Sequence, residues 1–295
     1  MRGNADGGET LPNRSKGAGG RVPGAGSWTA NDNDSSRESS PGTRYSNIEL
    51  MICIVARLME NGKMAFIGTG IPMLAAALAK KLHAPQMEAV FEFGGTDPVL
   101  DRLPLNVGAQ QTFHRAVSAI SLADVMEAAQ KGFLDLGFVG AAQIDPFGNI
   151  NTTVIGDHSR PKVRLPGSGG GCDIGALCWR TVAILAEHDL KRFVGKVDFI
   201  TTPGFLDGPG ARERAGLPGG TGPYRVVTPL AVMDFDETSR RMRLLSLNPG
   251  VTMEDVRKNT GFELVIPKDI GRNPPPAPKE LQILRKEVDP HRLYI

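Results

Sequence analysis

The stretch "KMAFIGTGIPMLAAALAKKLHAPQMEAVFEF", residues 63–93, decides the fold. It begins with "KMAFIG" and ends with "MEAVFEF", two apolar runs of the length expected for buried strands. Between them, "IPMLAAALAKKLHA" predicts a helix with Pro72 in its first turn, a position that tolerates proline. The order strand, helix, strand is typical of an α/β fold with a mostly parallel sheet.

The same alternation continues toward the C-terminus. "SLADVMEAAQKG" predicts a helix capped by Ser121, "FLDLGFVGAAQ" predicts a strand, and "RTVAILAEHD" and "KVDFITT" are two further apolar runs. "YRVVTPLAVMDFDETSRRMRLLSL" predicts a hairpin that turns at residues 236–240, which would make the sheet mixed. We therefore expect an open, mostly parallel or mixed sheet with helices on both faces. Beyond it, "RNPPPAPKELQILRKEVDP" predicts a proline-rich strap with one short helix.

The N-terminal segment differs from the rest of the chain. Residues 1–45 are rich in Gly, Ser, Asn and Pro and contain hardly any aliphatic residue, which predicts a disordered arm. The first helix is predicted at "YSNIEL", where Ser46 and Glu49 have the spacing of a capping box, and Gly62 is expected to end it. Residues 46–295 show neither a repeat nor a linker and are predicted to form one domain.

Composition excludes several classes of function. The chain has 295 residues, of which 40% are hydrophobic and 22% charged, as expected for a globular protein with a sizeable core. Its 34 basic and 32 acidic residues give a net charge of only +2, so we expect no nucleic-acid partner. The three cysteines form no CxxC pair, which favours a reducing, cytoplasmic location and neither disulfides nor a metal site. No apolar run approaches roughly 18 residues, so we predict no membrane span.

In open α/β sheets, ligands bind beyond the carboxyl ends of the strands, and three glycine-containing turns occupy such positions. The first is "FIGTGIPML", in which Gly68 and Gly70 separate a strand from a helix. Free amides at a helix N-terminus make a phosphate cradle one interpretation. A tight turn is the other, because the spacing matches neither a dinucleotide fingerprint nor a P-loop.

The second turn is "MEAVFEFGGTDP", residues 87–98, which places Glu92 directly before Gly94 and Gly95. Side chains alternate along a strand, so Glu88 and Glu92 share one face, but only Glu92 lies at the carboxyl end. An isolated glutamate is most often solvent-exposed or salt-bridged. The neighbouring glycines favour a functional role for Glu92.

The third turn is "PKVRLPGSGGGCDIG", whose glycines surround Ser168 before a predicted helix. Such a run lets consecutive backbone amides point into a cavity, as an oxyanion hole requires, although glycine runs also form flexible loops. Cys172 has no histidine or asparagine partner in the pattern, so we interpret it as a small packed residue rather than a nucleophile. The glycines of this run are Gly167, Gly169, Gly170 and Gly171.

Taken together, six stretches resemble, in content and order, the β subunits of family I CoA-transferases, most of all the glutaconate CoA-transferase type. The resemblance covers roughly residues 46–290. The active-site glutamate of that family lies in an E-x-G motif, which falls on Glu92-Phe93-Gly94 and departs from the S-E-N-G form of the 3-oxoacid branch. The six stretches are "FIGTGIPMLAAALA", "FEFGGTD", "GFVGAAQIDPFGNINTT", "RPKVRLPGSGGGCDI", "VDFITTPGF" and "NPGVTMEDVRKNTGFEL".

The resemblance implies a CoA-transferase (NagB/RpiA-like) fold and a ping-pong reaction. Glu92 would attack an acyl-CoA and then carry CoA as a glutamyl thioester until a carboxylic acid takes it. The segment 167–171 would stabilise oxyanions, Gln143 would line the same cleft, and Phe93 would help to exclude water. Acyl-CoA is then a substrate, with no tightly bound cofactor. The partner would be an α subunit, in a heterodimer or heterotetramer.

Two other functions remain open. A hydrolase or ring-opening enzyme on the same fold would act on CoA thioesters without transferring CoA. A non-catalytic subunit would only complete the pocket of its partner. Glu92 in its E-x-G context favours the transferase. Four arginines are candidates for binding a second substrate carboxylate, and the sequence does not choose among Arg102, Arg115, Arg160 and Arg164.

Overall fold

The computed structural model describes residues 37–40 and 43–295. Most of the predicted disordered arm, residues 1–36 and 41–42, lies outside the described residues. The remainder of that arm contains β1 (Arg37–Ser40) and β2 (Thr43–Tyr45), an antiparallel pair that the sequence analysis did not predict.

Seven α-helices lie within the described residues: α1 (Asn47–Arg57), α2 (Ile71–Leu82), α3 (Leu122–Gln130), α4 (Gly171–Leu177), α5 (Ala211–Arg214), α6 (Met253–Asn259) and α7 (Pro278–Ile283). A 3₁₀ turn occupies Gln110–Phe113, and a π-helical turn, Leu284–Val288, follows α7. None of the helices in the described ranges is long and apolar enough to cross a membrane.

The other strands are β3 (Met64–Ile67), β4 (Glu88–Phe91), β5 (Gly95–Thr96), β6 (Ser118–Ala119), β7 (Leu136–Gly140), β8 (Gln143–Ile144), β9 (Ile150–Asn151), β10 (Val154–Ile155), β11 (Val163–Arg164), β12 (Arg180–Ile184), β13 (Pro223–Val227), β14 (Ala231–Phe235), β15 (Met242–Leu247) and β16 (Gly271–Arg272).

Ten strands form one mixed sheet in the order β16-β15-β14-β13-β12-β7-β3-β4-β5-β6. Its centre, from β13 to β4, is parallel, and antiparallel pairs flank this centre on both sides. The predicted hairpin is confirmed as β14 and β15. The predicted α/β architecture, with a mostly parallel but mixed sheet, is therefore confirmed.

One predicted helix boundary differs from the structure, and one apolar run forms no regular strand. Ser46 and Glu49 do form the capping box of α1, but the helix ends at Arg57 and not at Gly62, because the Leu58 amide turns back to the carbonyls of the last turn. The apolar run at residues 196–202 is a loop and not a strand. The Asp198 amide donates to the Gln143 side chain instead of to a neighbouring strand, which interrupts a ladder at that point.

Side-chain alternation gives the sheet two different faces. Ala65 and Ile67 of β3 point toward α1, α2 and α7, and we call this side the α1 face. Phe66 of β3 points toward α3, α4 and α6, on the side that we call the α4 face. On the α4 face, Gly137 of β7 allows α4 to approach the sheet, because a methyl group there would lie 2.4 Å from the Ile174 Cγ2 atom. Helices therefore cover both faces, as predicted.

Candidate active site

A cleft of about 1140 Å³ lies beyond the carboxyl ends of the parallel strands. Each of the five central strands is followed by residues that line it, which is the location expected for a ligand site in an open α/β sheet. The lining residues include Gly68 after β3, Glu92 after β4, Gln143 after β7, His188 after β12 and Pro229 after β13, together with the loop at residues 167–171.

Glu92 lies in a tight turn directly after β4. The Gly94 amide donates to the Phe91 carbonyl oxygen over 2.9 Å, so Glu92 is the first of the two central residues of this turn. Its side chain is half-buried and reaches the cleft. Among residues 37–40 and 43–295, no group forms an ion pair or hydrogen bond with its carboxylate. Glu88, at the start of β4, is exposed and does not line the cleft.

The glycine loop lies directly beside this carboxylate. A methyl group added to Gly170 would be 3.4 Å from the Glu92 Oε1 atom, and one added to Gly169 would be 3.5 Å from it. Gly169 also has a φ of +48°, a conformation that glycine adopts without strain. The absence of side chains at these two positions therefore lets the backbone approach Glu92.

The hydrogen bonds of the loop separate engaged amides from free ones. The Gly167 amide donates to the Thr152 carbonyl oxygen (2.8 Å), and the Gly171 amide donates to the Ser168 carbonyl oxygen (2.9 Å). Within the described part of the chain, the amides of Ser168, Gly169 and Gly170 have no acceptor. Of the four glycines that the sequence analysis selected, Gly169 and Gly170 thus present free donors near Glu92.

Thr152 is hydrogen-bonded to the loop and Thr202 packs beside it, and the sequence analysis missed both residues. The Thr152 hydroxyl donates to the Gly167 carbonyl oxygen over 2.8 Å, which adds to the bond from the Gly167 amide. Thr202 is buried in the cleft wall, and its Oγ1 atom would lie 3.1 Å from a methyl group on Gly171. The only sequence signal for them was their position in "NINTT" and "FITTPGF", two of the stretches that carry the family resemblance.

Gln143 lines the cleft but is held by its neighbours. Its Oε1 atom accepts from the Asn151 side chain (2.7 Å) and the Asp198 amide (3.1 Å), and its Nε2 atom donates to the Asp198 carboxylate over 3.1 Å. These bonds fix the side-chain amide in the wall of the cleft. Gln143 is therefore well placed to shape the pocket.

Four other residues selected from the sequence do not line the cleft. Gly94 and Gly95 allow close backbone packing, because methyl groups there would lie 1.7 Å from the Ile120 carbonyl oxygen and 1.8 Å from the Thr112 carbonyl oxygen. Phe93 is 48% exposed, so its ring points away from the cleft that it was expected to shield. Gly70 is buried at the N-cap of α2 with a φ of +79°, as a tight turn requires.

His188 is a buried polar residue in the cleft wall. Its Nδ1 and Nε2 atoms each lie 3.0 Å from a threonine hydroxyl, of Thr228 and Thr260 respectively, and its ring stacks on Phe193. Burial lowers the pKa of His188 to about 4, so the imidazole is neutral at neutral pH. No periodicity or spacing in the chain identifies this histidine before the fold is known.

Cys172 is exposed, contrary to the expectation that it packs. Partial burial of its sulfur, together with the nearby Asp173 carboxylate, raises the pKa of its thiol. The thiolate is therefore disfavoured at neutral pH, and Cys172 lacks the activation that a cysteine nucleophile needs.

Comparison with known proteins identifies the family. The coenzyme A transferase family model matches residues 48–259. A subunit of glutaconate CoA-transferase from Acidaminococcus fermentans is 37% identical over 259 residues, which cover 86% of this chain and 96% of that protein. A subunit of 3-oxoadipate CoA-transferase from Pseudomonas knackmussii is 38% identical over 244 residues, covering 82% of this chain and 92% of that protein.

The fold agrees with these matches. The crystal structure of glutaconate coenzyme A-transferase from A. fermentans has a TM-score of 0.81 against this chain, with 36% identity, and the match covers 85% of this chain and 97% of that one. The predicted resemblance, fold and enzyme class are thereby confirmed. The chain belongs to the coenzyme A transferase family and is similar over most of its length to one subunit of glutaconate CoA-transferase.

Proposed function

We propose that this chain is the subunit of a CoA-transferase that carries the catalytic carboxylate, and that Glu92 is this carboxylate. One observation carries the proposal. Glu92 has no ion pair or hydrogen bond among the described residues, it reaches the cleft, and it lies beside the free amides of Gly169 and Gly170. An unpaired carboxylate keeps its oxygen lone pairs available for attack on a carbonyl carbon.

The reaction proceeds through two bond exchanges, which a second acid then reverses. A Glu92 oxygen attacks the thioester carbonyl carbon of an acyl-CoA, the carbon–sulfur bond breaks, and CoA leaves as a thiolate from an acyl-glutamyl anhydride. The thiolate then attacks the Glu92 carbonyl carbon, which releases the first acid as a carboxylate and leaves a glutamyl-CoA thioester. An incoming carboxylate reverses both steps and leaves as its own CoA ester. Splitting one exchange in this way predicts ping-pong kinetics.

Each step passes through a tetrahedral oxyanion, and the free amides are its donors. Because Gly167 and Gly171 use their amides within the loop, we assign this role to Gly169 and Gly170, with Ser168 adjacent. Loss of one such donor typically raises the barrier by about 2.7 to 4 kcal/mol. Phe66 and Met126 border the glycine loop, since a methyl group on Gly170 would contact both side chains. We assign to these two side chains the water-excluding role that was expected of Phe93.

We further propose that an α subunit completes the site. Both relatives described above are named as single subunits of their enzymes, which implies that each works with at least one other chain. Between β4 and α3, this chain exposes apolar side chains next to the catalytic turn, among them Phe93 (48%), Leu105 (74%) and Val117 (80%). Exposed apolar groups of this kind mark interaction surfaces. The names of the two relatives make glutaconate and 3-oxoadipate the first acids to test with CoA.

Thioester trapping tests the proposal. The chain co-purified with its α partner is incubated with acyl-CoA and no acceptor acid, then reduced with borohydride and mapped by mass spectrometry. We expect modification of Glu92 within residues 87–98, and none when the chain is treated without its partner. Glu92→Gln, which keeps the shape but loses the nucleophile, should abolish labelling.

Glu88→Gln is the matched control, because Glu88 begins the strand that leads to Glu92, is exposed and does not line the cleft. It should label and turn over as the wild type does. Labelling of Cys172, or a dead Glu88→Gln variant, would refute the assignment of Glu92. Rapid release of free CoA without any labelled peptide would instead indicate a hydrolase.

A further inference from the structure

Arg212 is a buried cation in the short helix α5. Its side chain is only 3% exposed, and among the described residues no carboxylate forms an ion pair with it. Arginines are rarely buried without a partner, because removing the guanidinium charge from water is costly. Burial lowers the pKa of Arg212 to about 10, so the side chain remains charged at neutral pH.

Backbone carbonyls take the place of an acid around this guanidinium. Nη2 donates to the carbonyl oxygens of Gly175 and Ala176, both over 3.1 Å, and Nη1 donates to those of Gly204 (2.8 Å) and Pro203 (3.2 Å). Nη2 also donates to a threonine hydroxyl, and the buried Nε has no partner within the described ranges. Gly175 and Ala176 belong to the last turn of α4, where the helix dipole favours a cation.

Helix α4 connects Arg212 to the catalytic loop. It begins at Gly171, directly after the free amides of residues 168–170. Its two glycines pack on Thr202, since a methyl group on Gly175 would lie 2.3 Å from the Thr202 Cγ2 atom and one on Gly171 would lie 3.1 Å from its Oγ1 atom. Arg212 joins the end of this helix to the carbonyls of Pro203 and Gly204, the residues that follow Thr202.

We propose that Arg212 is a positioning residue, which clamps α4 against residues 202–204 and thereby holds the Gly169 and Gly170 amides at Glu92. The inference rests on the proposed function of Glu92, because it concerns the geometry of that reaction. Arg212 itself does not line the cleft. A loosened clamp would let α4 and the loop at its start move relative to Glu92, and misplacements of about 1 Å can lower rates roughly 100-fold.

Three variants of the complex test this role. Arg212→Met removes the charge and the hydrogen bonds while filling much of the volume. We expect kcat and the rate of Glu92 labelling to fall roughly 10- to 100-fold with KM for acyl-CoA nearly unchanged, because the loop acts on the transition state. Glu280→Gln, which weakens a buried ion pair on the α1 face, is the stability control. Both are assayed at the same interval below their own melting temperatures.

Arg212→Lys provides a readout that a merely structural role would not produce. A buried lysine without an acid partner has a lowered pKa, so the variant should lose its charge within the assay range. For this variant, we expect kcat to approach the wild-type value at the lowest pH of the assay and to fall as pH rises. The wild-type kcat should not show this fall, because arginine stays charged. This measurement also decides the question if Arg212→Met does not fold.

The outcomes separate this inference from the proposed function. If the wild-type complex is not labelled at Glu92, the proposed function fails. If the wild type is labelled but Arg212→Met is labelled equally fast, or loses no more activity than Glu280→Gln, the clamp is refuted. An Arg212→Lys pH profile with the wild-type shape would also refute it.

Discussion

Glu280 and Glu92 lie on opposite faces of one sheet, in opposite surroundings. Glu280, on α7 at the α1 face, accepts from the Arg57 Nε atom over 2.8 Å and from the Ala277 amide over 2.6 Å. Glu92 borders the cleft on the α4 face and has no such partner among the described residues. Glu49, also on the α1 face, is bound by Arg285. Two buried carboxylates on the α1 face are thus paired with guanidinium groups, whereas the half-buried Glu92 has no partner in the described ranges.

This difference separates stability from reactivity. A carboxylate whose lone pairs are occupied by a guanidinium stabilises the fold and is a poor nucleophile. Removing one member of a buried pair leaves the other uncompensated, which is destabilising. A free carboxylate in a cleft contributes little to the fold, so it can take part in covalent chemistry without unfolding the protein. Replacing each glutamate by glutamine should therefore mainly lower activity at Glu92 and mainly lower stability at Glu280.

The largest expected effect comes from replacing Glu92 by glutamine, and it is best measured beside the same substitution at Glu280. Glu92→Gln should lower turnover of the complex by several orders of magnitude, because the nucleophile is lost, while its free energy of unfolding stays nearly constant. Glu280→Gln should lower the free energy of unfolding by about 2 kcal/mol, since Arg57 loses an anion in a largely buried site. Its kcat should stay within about twofold. Urea unfolding measures the free energy of unfolding of both variants, and steady-state kinetics measure their kcat.

Similar behaviour of the two variants would refute the proposed contrast between the two faces of the sheet. A Glu92→Gln protein that unfolds much more easily would show that Glu92 has a structural partner on the α4 face. A Glu280→Gln complex that loses most of its activity well below its melting temperature would show that the faces are coupled.

A smaller effect is expected at the loop itself. In Gly170→Ala, the new methyl group would lie 2.9 Å from the Met126 Cε atom and 3.4 Å from the Glu92 Oε1 atom, so either the Met126 side chain or the loop must shift. We expect kcat to fall roughly 10- to 100-fold, as for a displaced oxyanion donor, with a modest loss of stability. Gly195→Ala is the matched control, because no atom of the described residues lies within 4 Å of the added methyl group and Gly195 is not among the residues that line the cleft. Equal activity of the two variants would contradict the assignment of the Gly170 amide.

The sequence predicted the elements whose signals are local. The capping box at Ser46, the helix that starts after Gly70 and the β14–β15 hairpin each follow from spacing within one stretch. The placement of Glu92 also followed, because period-two alternation fixed its face and the glycines marked the end of the strand. The family resemblance added the glycine loop as its neighbour in space.

Contacts between distant segments account for what was missed. Gly94 and Gly95 look like a ligand-facing turn in sequence, but their role is set by Ile120 and Thr112, which pack onto their backbone. Which loop amides remain free depends on Thr152, and no pattern within the loop reveals that bond. Arg212 has a sequence context of ordinary surface charge, and only the fold brings five oxygen atoms around it.

The last expected effect concerns pH and tests whether the acid sensitivity of folding belongs to the α4 face. Burial lowers the pKa of His188 from 6.5 to about 4, and Asp189 opposes this shift only in part. Between these values the unfolded chain binds more protons than the folded one, so stability present at neutral pH is lost as pH falls from about 6.5 to about 4. The full loss amounts to roughly 3 kcal/mol.

Replacing the imidazole should remove this loss. In His188→Gln, the amide can still bridge Thr228 and Thr260, but it does not titrate, so the free energy of unfolding should depend less steeply on pH between 6.5 and 4. His83→Gln is the control, because His83 is exposed at the end of α2 near the α1 face. Urea unfolding at a series of pH values measures both slopes. A flattened slope in His83→Gln and an unchanged one in His188→Gln would place the acid-sensitive histidine on the α1 face, because linkage assigns the lost stability to the group whose pKa folding lowers.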